Sequence, residues 1–183
     1  MISSNLHKIN QDIEENCKLS GRKTDEIILI GASKAQTIES IKEAYESGLT
    51  NFGENYLQEA EEKIENLSKD LVWHYIGSIQ SRKAKRIAEI FDWVHTVDSA
   101  KVAMKLNNTR PKSRGILNVC LQVNIDNEES KSGLDLKEID SFIEQTKTLE
   151  NLKVRGLMVI PKPRENLGAV SYTHLTLPTI LLV

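Results

Sequence analysis

The sequence has few cysteines and almost no excess charge of either sign. Its 183 residues include two cysteines, and 24 lysines and arginines stand against 26 aspartates and glutamates, which gives a formal net charge of −2. Two cysteines are too few for a disulfide framework and fit a reducing compartment. A near-neutral chain lacks the dominant basic surface that nucleic acids or anionic membranes attract. We therefore expect a cytoplasmic protein that binds neither.

Long apolar runs and metal-ligand clusters are also missing. The first 26 residues are polar and charged, without the apolar centre of a secretory signal. No run approaches the roughly 20 apolar residues of a membrane span. Cys17 and Cys120 lie in no CxxC pair, and no second His or Cys stands at a ligand spacing from His74. The sequence thus predicts one domain without a structural metal or a membrane anchor.

Helix-like and strand-like segments alternate along the chain, which predicts an α/β fold with a parallel sheet. Strand-like segments cover residues 27–32, 50–53, 71–77, 93–97, 117–125 and 153–160. The first, Ile27–Ala32, is a continuous apolar run typical of a strand buried on both faces. Helix boundaries are indicated by Gly21, Thr37, Gly48, Ser99 and the pair Asp135 and Glu138.

Two parallel architectures compete, a doubly wound sheet and a (β/α)8 TIM-like barrel. The turn after the first strand reads Gly31–Gln36 without the GxGxxG of a dinucleotide site, and no phosphate-binding P-loop occurs. Polar residues follow the ends of several predicted strands, where barrels carry their functional groups. This distribution favours the barrel, although only about six of its eight strands can be identified in the sequence.

Three residues are candidates for chemistry, each with a simpler alternative. Lys34 directly follows the first predicted strand, where burial would favour the uncharged, nucleophilic amine; alternatively it extends into solvent. Asn55, or Glu54 beside it, could bind a ligand at the barrel mouth; alternatively Asn55 caps the next helix. His74 stands in a predicted strand, where most histidines are hydrogen-bonded core residues. A basic cluster at residues 82–86 is most simply the solvated face of a helix.

Several of these motifs, in unbroken order from about Ile27 to Pro161, resemble the YggS/PROSC family of pyridoxal 5′-phosphate (PLP) homeostasis proteins. The matching segments are Ser33-Lys34, Asn51–Tyr56, Trp73–Gly77 with Gln80 and Lys83, Val97-Asp98-Ser99, Gln122–Leu134, and Gly156-Leu157-Met158 with Pro161.

The resemblance implies a barrel like the N-terminal domain of alanine racemase, with PLP held as a Schiff base on Lys34. Asn55 and His74 match positions that line the cofactor pocket. The implied role is a non-catalytic, monomeric carrier that stores PLP or passes it to apo PLP-dependent enzymes. The alternatives are an amino-acid racemase or decarboxylase of the same barrel type and a truncated fragment without function.

The resemblance fades near the carboxyl end of the sequence. We expect an incomplete PLP-binding barrel domain at residues 1–167 and a tail at 168–183 that is foreign to the family. Family members grip the phosphate with elements around the last two strands, and nothing similar follows Arg164. We therefore expect a chain that keeps the imine-forming half of the site and lacks the phosphate-binding elements, which together are called the phosphate cup.

Overall fold

A computed structural model describes residues 1–126 and 132–160, in which helices and strands alternate as expected. The helices are α1 (Ile2–Ser20), α2 (Ile38–Glu46), α3 (Leu57–Asn66), α4 (Ala84–Ile90), α5 (Ala100–Thr109) and α6 (Ile139–Thr146). The strands are β1 (Gly31–Ala32), β2 (Asn51–Glu54), β3 (Val72–Tyr75), β4 (Trp93–Val97), β5 (Leu117–Val123) and β6 (Leu152–Val159). Three short 3₁₀ helices cover Thr24–Glu26, Lys112–Arg114 and Leu136–Glu138.

The chain divides into two compact units, and the boundary falls between His74 and Tyr75, inside β3. In the first unit the strands follow chain order, β1-β2-β3, and β1 runs parallel to β2. The rings of Phe52 and Trp73 lie 6.0 Å apart between β2 and β3, and both side chains are buried. These two rings form part of the buried core of the first unit.

The second unit contains the strands β4-β5-β6, again in chain order and parallel. Along β5 buried and half-buried side chains alternate, so one face of the strand is packed more tightly than the other. Arg110, at the end of α5, is buried and donates to the carbonyl oxygens of Ala88 and Phe91, both at 2.7 Å. Its guanidinium thus satisfies carbonyls at the end of α4 that have no helical partner.

Most predicted helix boundaries are confirmed, because their capping chemistry is local. Gly21 ends α1 in the left-handed conformation, at φ 65°. The Thr37 hydroxyl accepts from the backbone N–H of Ser40 at the start of α2. Asp135 and Glu138 form the predicted capping box. Ser99 is the N-cap residue of α5, but its side chain makes no capping hydrogen bond.

The first predicted strand is wrong in its length and its burial. Only Gly31 and Ala32 form β1, residues 27–30 lie outside any strand, and Ile28 is 54% exposed. Within the described residues of the first unit, β1 pairs along one side only, with β2. The apolar run is therefore not a strand buried on both faces, although its composition is typical of one.

Candidate functional site

The carboxyl ends of β1 and β2 lie side by side. Their parallel register pairs Gly31 with Phe52 and Ala32 with Gly53. One residue later, the backbone N–H of Ser33 still donates to the Gly53 carbonyl, at 2.9 Å. The segments that leave the two strands therefore begin at the same edge of the sheet, as predicted for the polar residues there.

Lys34 lies in the turn that leaves β1. The turn is closed by a 3.0 Å hydrogen bond from the Gln36 N–H to the Ser33 carbonyl, and Ala35 adopts a φ of 58°. A positive φ is uncommon for a residue with a Cβ. The Lys34 side chain is exposed, so it does not pack against the apolar walls expected after a doubly buried strand.

Next to this turn, a buried ion pair joins β2 to α3. Lys63 Nζ lies 2.6 Å from Glu54 Oε1, and the two side chains are 7% and 0% exposed. Lys63 Nζ also donates to the Ser33 carbonyl at 2.7 Å, while the Ser33 hydroxyl donates to the same Glu54 oxygen at 2.7 Å. These three buried residues connect the ends of β1 and β2 to the middle of α3.

Glu54 has one oxygen left over. Oε1 receives both donors just described, whereas Oε2 is buried and has no hydrogen-bond partner among residues 1–126 and 132–160. An unsatisfied buried carboxylate oxygen is costly and usually marks a place where a donor is missing. The site thus retains one acceptor at the carboxyl end of β2.

Glu59, one turn before Lys63 on α3, contacts the other side of the Lys34 turn. Its Oε2 accepts from the Ala35 N–H at 3.0 Å and lies 3.5 Å from Lys63 Nζ. The hydrogen bond from Ala35 is the main reason that the pKa of Glu59 is lowered, and the charge of Lys63 adds to it. Beside this contact is a cavity of about 490 Å³, lined by residues 35–39 together with Glu59, Glu62 and Lys63.

The other two predicted residues lie in the same unit. Asn55 is half-buried directly after β2, and the N-cap of α3 is Tyr56 without a side-chain bond, so the alternative in which Asn55 caps this helix is wrong. His74 is fully buried in β3, and its Nε2 lies 3.0 Å from Asn51 Oδ1. The description of His74 as a hydrogen-bonded core residue fits this geometry.

Sequence reasoning missed Lys63 and Glu59. A signal for Lys63 existed, because it follows Leu57 and Ala60 at helical spacing on the buried side of α3. A lysine at such a position needs a buried partner. Glu59 and Lys63 are also four residues apart, the spacing of an ion pair on one helix face.

The remaining candidates give no second site. Arg86 and Lys85 pair with Glu89 at 3.2 and 3.9 Å on the exposed side of α4, as expected for a solvated helix face. Cys17 and Cys120 are free thiols, and burial raises the pKa of Cys120 to about 11. Across the described residues no group of three or more metal-ligating side chains occurs, and none of the helices there has the length and apolarity needed to span a membrane.

Comparison with known proteins identifies the family. A family model described as the alanine racemase N-terminal domain matches residues 10–174. The pyridoxal phosphate homeostasis protein of Haemophilus influenzae is 44% identical over 170 residues, which cover 91% of this chain and 72% of that protein. The chain belongs to this family. The Escherichia coli K12 member is 41% identical over 166 residues, 88% of this chain and 71% of its own length.

Solved structures support the same assignment. PipY of Synechococcus elongatus with PLP bound is 34% identical, with a TM-score of 0.70 over 89% of this chain and 76% of PipY. An alanine racemase of Clostridium difficile is 14% identical with a TM-score of 0.68 over 92% of this chain, which shows the shared fold alone. The predicted family and the barrel of alanine racemase N-terminal-domain type are thereby confirmed. The predicted tail at 168–183 lies outside the described residues.

Proposed function

We propose that this chain binds PLP and serves intracellular PLP homeostasis, and that Lys34 carries the cofactor as a Schiff base. The homeostasis proteins of Haemophilus influenzae and Escherichia coli, at 44% and 41% identity, support the role. The PipY structure with PLP bound supports the ligand.

The observation that carries the proposal is the position of Lys34. Its primary amine stands in an exposed turn at the carboxyl end of β1, the edge at which barrel proteins hold their ligands. PLP supplies an aldehyde, which condenses with a primary amine to a carbon–nitrogen double bond and one water. An exposed lysine leaves this bond within reach of another amine, and such access suits a carrier that must also release its cofactor.

The surrounding residues fit a cofactor that brings a hydrogen-bond donor or positive charge. Glu54 Oε2 is buried without a partner in the part of the chain that the structure describes, and it belongs to the residue that follows Gly53 at the end of β2. A donor from the bound group would satisfy this oxygen, and the Glu54 charge would stabilise a cation nearby.

Asn55 and His74 complete the proposed site with different tasks. Asn55 follows Glu54 directly and is half-buried, so its amide could bind a polar group of the cofactor. His74 is fully buried and its Nε2 is held by Asn51, so its ring orientation is fixed before any ligand binds. We assign His74 to the inner wall of the pocket.

The proposal also covers what the chain does with PLP. The homeostasis names of its relatives support a role in maintaining the PLP supply. The proposal adds that the chain stores PLP and delivers it to apo-enzymes, as a cytoplasmic monomer without catalytic turnover. The racemase alternative rests on neighbours such as the one at 14% identity, which share the fold alone.

To test the proposal, purified protein is mixed with PLP and the imine absorbance is recorded. The adduct is then reduced with borohydride and located by peptide mass spectrometry. We expect one adduct per chain on Lys34, its loss in Lys34→Ala, and an unchanged adduct in Lys42→Ala, which removes an exposed lysine of α2 in the same unit. An adduct that persists in Lys34→Ala would refute the assignment.

Two further arms separate the alternatives. Incubation with L-alanine and PLP in deuterated water should give no rapid α-proton exchange; rapid exchange abolished by Lys34→Ala would establish the enzyme instead. Pyridoxal, which lacks the phosphate, should bind about as well as PLP if the phosphate cup is missing. A tight, stoichiometric adduct that depends strongly on the phosphate would contradict that loss.

A further inference from the structure

Both peptide groups that flank Lys34 are held by side chains of α3. On one side the Ser33 carbonyl accepts from Lys63 Nζ at 2.7 Å, and on the other the Ala35 N–H donates to Glu59 Oε2 at 3.0 Å. The Lys34 side chain itself is exposed. The direction in which the Lys34 side chain leaves the backbone is therefore set by how these two neighbours are fixed.

Ala35 is the residue whose conformation needs support. Its φ of 58° lies in the left-handed region, and it is the one non-glycine residue with a positive φ among residues 1–126 and 132–160. An alanine stays there when surrounding contacts over-determine the turn. The Glu59 carboxylate supplies such a contact, since it accepts the Ala35 N–H in this conformation.

Glu59 is suited to this task because a second residue, Lys63, also holds its carboxylate. Lys63 Nζ lies 3.5 Å from Glu59 Oε2 and is itself anchored on buried Glu54 at 2.6 Å. The pKa of Glu59 is lowered, mainly by the Ala35 hydrogen bond, so the group is a carboxylate at neutral pH and the bond is charge-assisted.

We infer that Glu59 is a positioning residue for Lys34: its carboxylate fixes the Ser33–Gln36 turn and thereby holds the Lys34 amine in the direction in which it meets an aldehyde. The inference rests on the proposed function, because it concerns the same amine. Glu59 acts through the Ala35 backbone and needs no contact with the cofactor.

The experiment compares rates of adduct formation with PLP under identical conditions. In Glu59→Ala we expect the rate to fall about tenfold, the size of effect given by losing one charge-assisted hydrogen bond. Glu59→Gln keeps an oxygen acceptor for the Ala35 N–H and should restore most of the rate. Glu65→Ala removes an exposed carboxylate of the same helix and should react like the unmodified protein.

A second readout needs no cofactor. Amide hydrogen exchange of Ala35, followed by NMR in the ligand-free protein, should accelerate in Glu59→Ala and return towards the original rate in Glu59→Gln. In a Trp93→Phe background, unchanged emission from buried Trp73 verifies that the first unit remains folded in each variant.

The outcomes separate this inference from the proposed function. If Glu59→Ala reacts at the original rate while Lys34→Ala blocks the adduct, the inference is overturned and the proposed function stands. A Glu59→Gln variant as slow as Glu59→Ala also overturns it, because glutamine retains the acceptor. If the adduct survives in Lys34→Ala, the assignment of the amine itself has failed.

Discussion

Replacing Lys63 by methionine should destabilise the first unit by about 3 kcal/mol. The Lys63 side chain is 7% exposed, and its ammonium binds Glu54 Oε1 at 2.6 Å and the Ser33 carbonyl at 2.7 Å. Methionine fills a similar volume, so the cavity contribution is small. The main cost is a buried Glu54 carboxylate without its cation, and removing one member of such a pair costs about 3–5 kcal/mol.

The contacts that remain set the value within this range. The Ser33 hydroxyl still donates to Glu54 Oε1 at 2.7 Å after the substitution, which places the expected loss near the lower limit. Glu54→Gln should cost about 2 kcal/mol, because Lys63 keeps the Ser33 carbonyl and the more distant Glu59. The double variant contains no buried charge at this position, so its loss should also be about 2 kcal/mol.

The assay is urea unfolding followed by tryptophan fluorescence in a Trp93→Phe background, where Trp73 reports on the first unit. The single losses together should exceed the double loss by about 3 kcal/mol, the signature of two directly interacting groups. An exposed control, Lys42→Met, should shift the free energy of unfolding by less than about 0.5 kcal/mol. Additive losses, or a loss below about 1 kcal/mol in Lys63→Met, would refute the buried ion pair.

Two predictions concern the second unit. Arg110→Met should lower its free energy of unfolding by about 2–4 kcal/mol, because the carbonyls of Ala88 and Phe91 lose a buried donor. Urea unfolding followed by tryptophan fluorescence in a Trp73→Phe background, where Trp93 reports on the second unit, measures the loss. An effect equal to that of exposed Lys101→Met would contradict it. Burial raises the pKa of Cys120 to about 11, so at pH 8 the thiol should react with iodoacetamide about 100-fold more slowly in the folded than in the denatured protein. Mass spectrometry measures the two labelling rates. Equal rates would show that the thiol is not buried.

The parts of the fold that were predictable are those fixed by neighbours in the sequence. The left-handed Gly21, the Thr37 cap and the capping box of Asp135 follow from residues within one helical turn, and each was predicted. The length of β1 was not, because it depends on which strands pair beside it. Composition alone cannot reveal that Ile28 is more than half exposed.

The candidate site shows the same division. Lys34 and Asn55 follow strand-like segments, so the rule for parallel strands was enough to place them at one edge. The hydrogen bond from Lys63 to the Ser33 carbonyl joins residues 30 positions apart in the sequence and depends on how α3 packs on β2. Helical spacing would have placed Lys63 on the buried side of α3, but no local pattern identifies its acceptors.

The buried ion pair also determines which amine can attack an aldehyde. Lys34 and Lys63 contribute two primary amines to one small region, yet the nitrogen of Lys63 is enclosed and engaged by two oxygen acceptors, whereas Lys34 is open to solvent. Competition between the two is thus decided by access, before any difference in intrinsic reactivity counts. Chemoselectivity at this edge is in that sense a product of packing, and loosening α3 would expose a rival nucleophile to the same reagent.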